Sequence, residues 1–127
     1  MKKIILDTNF LLIPGQFKVD IFDEIRRICD FQYKLYIVDK TIDEINSIIE
    51  TAKKSADKRA AKLALELIKA KDINIICTKK DKSVDDLILD LLDNGCYIVA
   101  TQDKPLKTRI KSNIISLRQK KYLELRC

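Results

Sequence analysis

The chain has 127 residues, 46% hydrophobic and 35% charged, with 25 basic against 19 acidic side chains and a net charge of +6. That balance excludes intrinsic disorder, and no apolar run reaches the ~20 residues of a membrane span. The absence of histidine excludes His-based general bases, Ser-His-Asp and Cys-His nucleophile systems and imidazole-ligated metals.

After Lys2-Lys3, Ile4-Ile5-Leu6 reads as a short buried strand, and Asp7 interrupts the apolar run before it takes the form of a signal peptide. A loop through Pro14 and Gly15 follows. Phe17 to about Cys29 then reads as a helix, with Phe17, Ile21, Ile25 and Ile28 at helical spacing. Leu35 to Val38 is a second strand. Asp39 is the expected cap of the next helix, whose apolar stripe is Ile42, Ile45, Ile48 and Ile49. Ser55 to Lys71, rich in Ala, Leu and Lys, has the strongest helical composition. Ile73 to Cys77 is a third strand, and Ser83 opens a helix that Asn94-Gly95 ends after about Asp93. Ser83-Val84-Asp85-Asp86 has the form of a capping box with Asp in place of Glu. Cys96 to Ala100 is a fourth strand, Pro105 suits the first turn of a short helix, and Ile114 to Leu117 is a fifth strand. Tyr122 to Leu125 is a candidate for a small sixth.

Strands alternating with helices imply right-handed crossovers and an α/β fold, one domain over 1–127, with a mostly parallel sheet of about five strands covered on both faces. Ligands bind such sheets beyond the carboxyl ends of the strands, near a switch in strand order. Asp7 ends the first strand, Glu44 lies in the first turns of the helix after the second, Asp85 and Asp86 start the helix after the third, and Asp103 follows the fourth. All these connections emerge at one edge. Asp85 or Asp103 alone reads as a helix cap. Asp7, an acid at the end of a buried strand, needs a partner.

Four carboxylates together repel one another, and one or two hard divalent cations reverse that balance. Such an ion lowers the pKa of a bound water and neutralises charge on a phosphoryl group without histidine. Two basic groups flank the acids: Lys53, Lys54, Lys58, Arg59 and Lys62, then Lys104, Lys107, Arg109, Lys111, Arg118, Lys120 and Lys121. Each lysine alone reads as a solvated surface residue, but beside the acids they are compatible with a phosphate backbone. Carboxylates, metal and basic flanks point to phosphodiester hydrolysis. Cys29, Cys77, Cys96 and Cys127 are scattered with no C-x-x-C pair, against a zinc site. Cys77 and Cys96, in apolar runs, are expected to be reduced core thiols and the protein cytoplasmic.

Leu6-Asp7-Thr8-Asn9, Asp43-Glu44-Ile45, Asp85-Asp86-Leu87-Ile88 and Val99-Ala100-Thr101-Gln102-Asp103-Lys104-Pro105-Leu106-Lys107 resemble, in order, the acidic motifs of PIN-domain ribonucleases. Gln16-Phe17 with Asp20-Ile21-Phe22, and the run from Asp57 to Ala64, look more like archaeal relatives of ribosomal-RNA-processing endonucleases than like VapC-type toxins. The resemblance implies a three-layer α/β/α Rossmann-like fold, Mg²⁺ or Mn²⁺ as one or two ions, and RNA cleavage leaving 5′-phosphate and 3′-hydroxyl ends. Carried over by position, Asp7, Glu44, Asp85 and Asp103 become metal ligands. Asp86 competes with Asp85 for that role. Asn9 and Thr101 become supports behind the ligands, and Lys58, Arg59, Lys104 and Lys107 become RNA contacts. The implied partners are RNA, a second copy of the chain, and an antitoxin or a ribosome-assembly protein. A catalytically inactive RNA-binding module is a further reading. The zinc-binding segment found in ribosomal-RNA-processing relatives is missing from the sequence. A haloacid-dehalogenase-type phosphatase needs Asp at position 9, where Asn9 stands. A phospho-receiver domain needs its acid pair after the first strand.

Overall fold

The computed structural model describes residues 1–93, 95–110 and 113–127. Asn94, half of the expected helix stop, and Lys111, from the second basic group, lie outside the described residues. The elements are β1 (Lys2–Leu6), α1 (Thr8–Leu11), α2 (Ile13–Phe17), α3 (Ile21–Ile28), β2 (Tyr33–Val38), α4 (Asp39–Thr51), α5 (Ser55–Ala70), β3 (Asn74–Ile76), α6 (Val84–Asp93), β4 (Tyr97–Ala100), α7 (Lys104–Ile110), β5 (Ile114–Arg118) and β6 (Tyr122–Arg126).

The six strands form one sheet in the order β3-β2-β1-β4-β5-β6, parallel except for β6. From β1 the chain moves outward through β2 and β3, then returns to the other side of β1 as β4. The switch in strand order therefore falls between β1 and β4, and their carboxyl ends open a crevice there. Alternation along each strand sorts the core into two layers. Ile4, Leu6, Ile37, Ile98, Ala100, Ile115 and Leu117 pack under α1 to α5. Ile5, Val38 and Val99 face the opposite way, under Val84, Leu87 and Ile88 of α6. This is the expected three-layer arrangement.

The candidate sixth strand is present beside the five, β6 pairing antiparallel with β5 from Arg118–Tyr122 to Ile114–Arg126. Several local expectations are corrected. Pro14 and Gly15 lie inside α2 rather than in a loop, since proline's fixed φ suits a first helical turn. The helix expected from Phe17 is divided: Lys18 adopts φ 57°, and Asp20 starts α3 by accepting from the backbone N–H groups of Phe22 and Asp23. Asp39 does not precede α4 as its cap but is its first residue, its carboxylate accepting from Thr78 N–H and Thr78 Oγ1 as well as from Lys40 N–H. Cys77 and Cys96 are exposed rather than core thiols, because each lies just beyond a strand end. Cys29 is the buried one, and desolvation pushes its thiol up to about 11.

Helix α2 crosses α5 so closely that a Cβ on Gly15 would stand 2.5 Å from Ala60 Cα. No side-chain rotation relieves a clash with backbone. Gly15→Ala is expected to destabilise by about 1–3 kcal/mol through forced helix separation. At Gly95 the nearest atom is on the rotatable Tyr97 ring, at 3.3 Å, so Gly95→Ala has the smaller effect. Urea unfolding of both variants checks this, and equal losses would contradict the packing argument.

Candidate functional site

β1 ends where its apolar alternation ends, and its register with β4 decides what Asp7 meets. Leu6 pairs with Ala100, so the next residues, Asp7 and Thr101, come abreast at the carboxyl edge. Asp7 N–H continues the ladder by donating to Ala100 O at 2.9 Å. Its side chain is 3% exposed, and a buried carboxylate demands donors. Thr8 N–H donates to Oδ1 at 2.8 Å and Thr101 Oγ1 donates to Oδ2 at 2.7 Å. Burial raises the Asp7 pKa, these two hydrogen bonds oppose the rise, and the charges of Glu44 and Asp103 add to it.

The neighbouring acids are held by equally specific contacts. Thr8 Oγ1 donates to Glu44 Oε1 at 2.7 Å, tying the second turn of α4 to the start of α1. Asp103 Oδ1 accepts from Leu106 N–H and so caps α7, while Asp103 N–H donates to Thr101 Oγ1. Asn9 Oδ1 accepts from Gln102 N–H at 3.1 Å, and Gln102 Oε1 accepts from Leu117 N–H at 2.7 Å. The loop after β4 is thus pinned to α1 on one side and to β5 on the other. Ser83 Oγ accepts from Asp86 N–H and opens α6.

Asp7, Glu44, Asp85 and Asp103 line one cavity of about 320 Å³, with Thr8, Asn9, Leu12, Ile48, Ser83 and Val84. Asp86 does not line it. One step round α6 turns Asp86 outward, with Oδ1 3.4 Å from Arg109 Nη1. Lys58, Arg59, Lys104 and Lys107 also lie outside the cavity lining. Thr101 and Asn9 bond within the protein as described, Thr101 being fully buried. Two functional residues escaped the sequence reading: Thr8, which holds Glu44, and Gln102, which holds the β4 loop. Their only signal was a polar side chain inside each motif.

The Asp85 pKa is raised to about 6, first by desolvation, then by the facing charge of Asp7 and of Asp103, a hydrogen bond with Asp103, and Glu44. Among the described residues no three acids stand close enough to enclose an ion by themselves. Oxygen donors spaced round an open cavity suit a hard cation that keeps several of its own waters, as Mg²⁺ does.

The family profile described as PIN like domain matches residues 4–120. Ribonuclease VapC4 of Methanocaldococcus jannaschii is 30% identical over 129 residues, covering 98% of this chain and 97% of that protein. The rRNA-processing protein fcf1 of Schizosaccharomyces pombe is 33% identical over 112 residues. That alignment covers 85% of this chain and 53% of fcf1, so the chain matches about half of the yeast protein. The solved structure of the PIN domain endonuclease Utp24 superposes with a TM-score of 0.78 at 26% identity, covering 97% of this chain and 90% of that one. A domain of a Methanocaldococcus jannaschii protein shares the fold, with a TM-score of 0.58 at 15% identity over 93% of this chain and 92% of that one.

Asp85 holds its proton more tightly folded than unfolded, so its contribution favours folding at low pH. That contribution is lost as pH rises from the ordinary 3.8 through about 6. In chelator-containing buffer, Asp85→Asn is expected to raise the melting temperature near neutral pH and leave it little changed in acid. The gain is modest because the carboxylate is partly solvated. Thermal melts across pH check this; a variant less stable than the parent at neutral pH contradicts the repulsion.

Proposed function

We propose that this chain, which belongs to the PIN-like domain family, is a divalent-metal-dependent endoribonuclease that hydrolyses RNA phosphodiester bonds. The observation that carries the proposal is the convergence of Asp7, Glu44, Asp85 and Asp103, from four separate connections, on one cavity at the switch point of the sheet. The relatives named above as ribonuclease, endonuclease and rRNA-processing protein support the same reading.

In this proposal Asp7, Glu44, Asp85 and Asp103 hold Mg²⁺ or Mn²⁺, one or two ions. Bound there, the cation supplies a water of lowered pKa and neutralises charge on the phosphoryl group in its transition state. Thr101 and Thr8 orient the Asp7 carboxylate, and their hydrogen bonds to its charged form oppose the rise in pKa that burial causes. Thr8 also fixes one Glu44 oxygen. Asp103 is oriented through its cap on α7. The Asp85 carboxyl, raised to about 6 first by desolvation and then by its acidic neighbours, is a group whose charged form a cation beside it would favour. The products are a 5′-phosphate and a 3′-hydroxyl.

The biological role we propose is processing of ribosomal RNA or maturation of another structured RNA, with a ribosome-assembly protein as partner and a cytoplasmic location. No helix among the described residues is long and apolar enough to cross a membrane. A second reading, a toxin ribonuclease held by an antitoxin, is favoured by the alignment with Ribonuclease VapC4 over 97% of that protein. Accumulation of an uncut ribosomal precursor on depletion supports processing. Growth arrest on induction, relieved by a small protein encoded alongside, supports the toxin.

Labelled RNA with Mn²⁺ or Mg²⁺ tests the activity. Asp7→Asn and Asp103→Asn are expected to slow cleavage roughly a hundredfold or more, and Thr101→Val roughly 10–100-fold through misorientation of Asp7. Chelator is expected to stop the reaction and Mn²⁺ to restore it. Asn variants that cut as fast as the parent would sink the assigned site.

A further inference from the structure

The outer face of the β5–β6 hairpin carries charge that the acidic cavity does not use. Ile115, Leu117, Leu123 and Leu125 point into the larger core, so alternation turns Ser116, Arg118, Tyr122, Glu124 and Arg126 to the other face. The register sets Arg118 opposite Tyr122, Ser116 opposite Glu124 and Ile114 opposite Arg126. Arg118 Nη2 lies 3.5 Å from Glu124 Oε1, which confirms that the even-numbered positions share a face.

Helix α7 brings Lys107 alongside. Burial lowers its pKa first, and the positive charges of Arg118, Arg126 and Lys104 lower it further. Four cations therefore gather where the hairpin meets α7. Among the described residues, Lys104, Lys107 and Arg126 have no carboxylate within salt-bridge distance, and Glu124 pairs only with Arg118. Gathering like charges costs stability, which a polyanion recovers by lying across them. Tyr122, 38% exposed and opposite Arg118 in the register, adds an aromatic ring at the hairpin's edge, where it also lines a cavity with Arg27 and Ile28 of α3.

Position links this face to the cavity. Lys104 directly follows Asp103, and Arg118 ends β5 at the same carboxyl edge as Asp7. Cations beside an accessible ring match the alternation of phosphates and bases in single-stranded RNA. The competing basic surface, a cavity of about 390 Å³ lined by Arg26, Lys34 and Lys71 with Phe22 and Tyr33, is at the opposite edge. It sits where β2 and β3 begin.

We propose that Lys104, Lys107, Arg118, Tyr122 and Arg126 form a single-stranded RNA track leading to the acidic cavity. The four cations hold phosphates and the Tyr122 ring stacks a base. This deepens the endoribonuclease reading and rests on RNA as the substrate.

Fluorescence anisotropy with a short labelled single-stranded RNA, in chelator so that nothing is cut, tests it. Replacing Lys107, Arg118 and Arg126 together by Ala is expected to weaken binding roughly tenfold or more at 0.1 M salt. The slope of log affinity against log salt should become shallower by about 2, and by about 0.7 for Arg118→Gln alone. Tyr122→Ala is expected to lose roughly tenfold while Tyr122→Phe binds like the parent. With metal restored, the triple variant is expected to raise KM and keep kcat. Asp7→Asn should bind RNA like the parent while losing cleavage; a parent protein that binds RNA but does not cut it with Mg²⁺ or Mn²⁺ counts against the nuclease reading and leaves the track standing. The track is overturned if the triple variant, melting like the parent, keeps the parent's affinity and salt slope; an acidic protein surface would then be the occupant. Equal weakening by Lys34→Ala with Lys71→Ala overturns it too.

Discussion

Everything at the site depends on accommodating one buried carboxylate. Asp7 stands at the end of a central strand, almost fully enclosed, and its oxygens are met by Thr8 N–H and Thr101 Oγ1. A carboxylate left there without donors would cost several kcal/mol. The Thr101 bond exists only if Leu6 faces Ala100 across the β1–β4 ladder. A slip of one residue would turn Asp7 to the wrong face and move Ile4 and Leu6 from the larger core to the layer under α6. Core packing and site assembly are therefore enforced by the same register.

Three of the four acids, Glu44 excepted, are placed by helix starts. Asp7 begins α1, Asp103 caps α7, and Asp85 lies in the first turn of α6, all at one edge of the sheet. Unpaired N–H groups at helix N-termini favour negative charge within about one turn. A parallel sheet with crossover helices brings these ends together as a consequence of its topology. The helix starts offset part of the desolvation, and of the smaller mutual repulsion, that raise Asp7 and Asp85. The chain carries a net +6, while the cavity lining holds four carboxylates and no Lys or Arg. An anionic substrate is thus attracted by the protein as a whole and repelled at the acids, unless a cation lies between them.

Much of this was legible in the amino-acid order. Apolar runs at Ile4–Leu6, Leu35–Val38 and Ile114–Leu117 mark strands because a sheet buried on both faces needs continuous hydrophobicity. Ser55 to Lys71 marks a helix by composition, and the observed α5 ends one residue short of it. Asp39 shows where such reading fails. It has a capping side chain, yet it is the first residue of α4, and beside Lys40 N–H its carboxylate takes two donors from Thr78, 39 residues away. Cys77 and Cys96 fail for a related reason: apolar neighbours in sequence do not say where a strand stops. Pro14 and Gly15 read as loop residues, but the tight crossing over Ala60 requires the glycine within a helix.

By itself the sequence determined the alternation of elements and the placing of an acid after each of the first four strands. Hydrophobic period and acid position are local properties, set within a few residues. Only the tertiary structure decided that Asp85 enters the cavity while Asp86 turns to Arg109, and that Thr8 holds Glu44. It also decided that Thr101 holds Asp7 across a separation of 94 residues. Those outcomes depend on strand register and helix rotation, which the whole core sets at once and no single segment encodes.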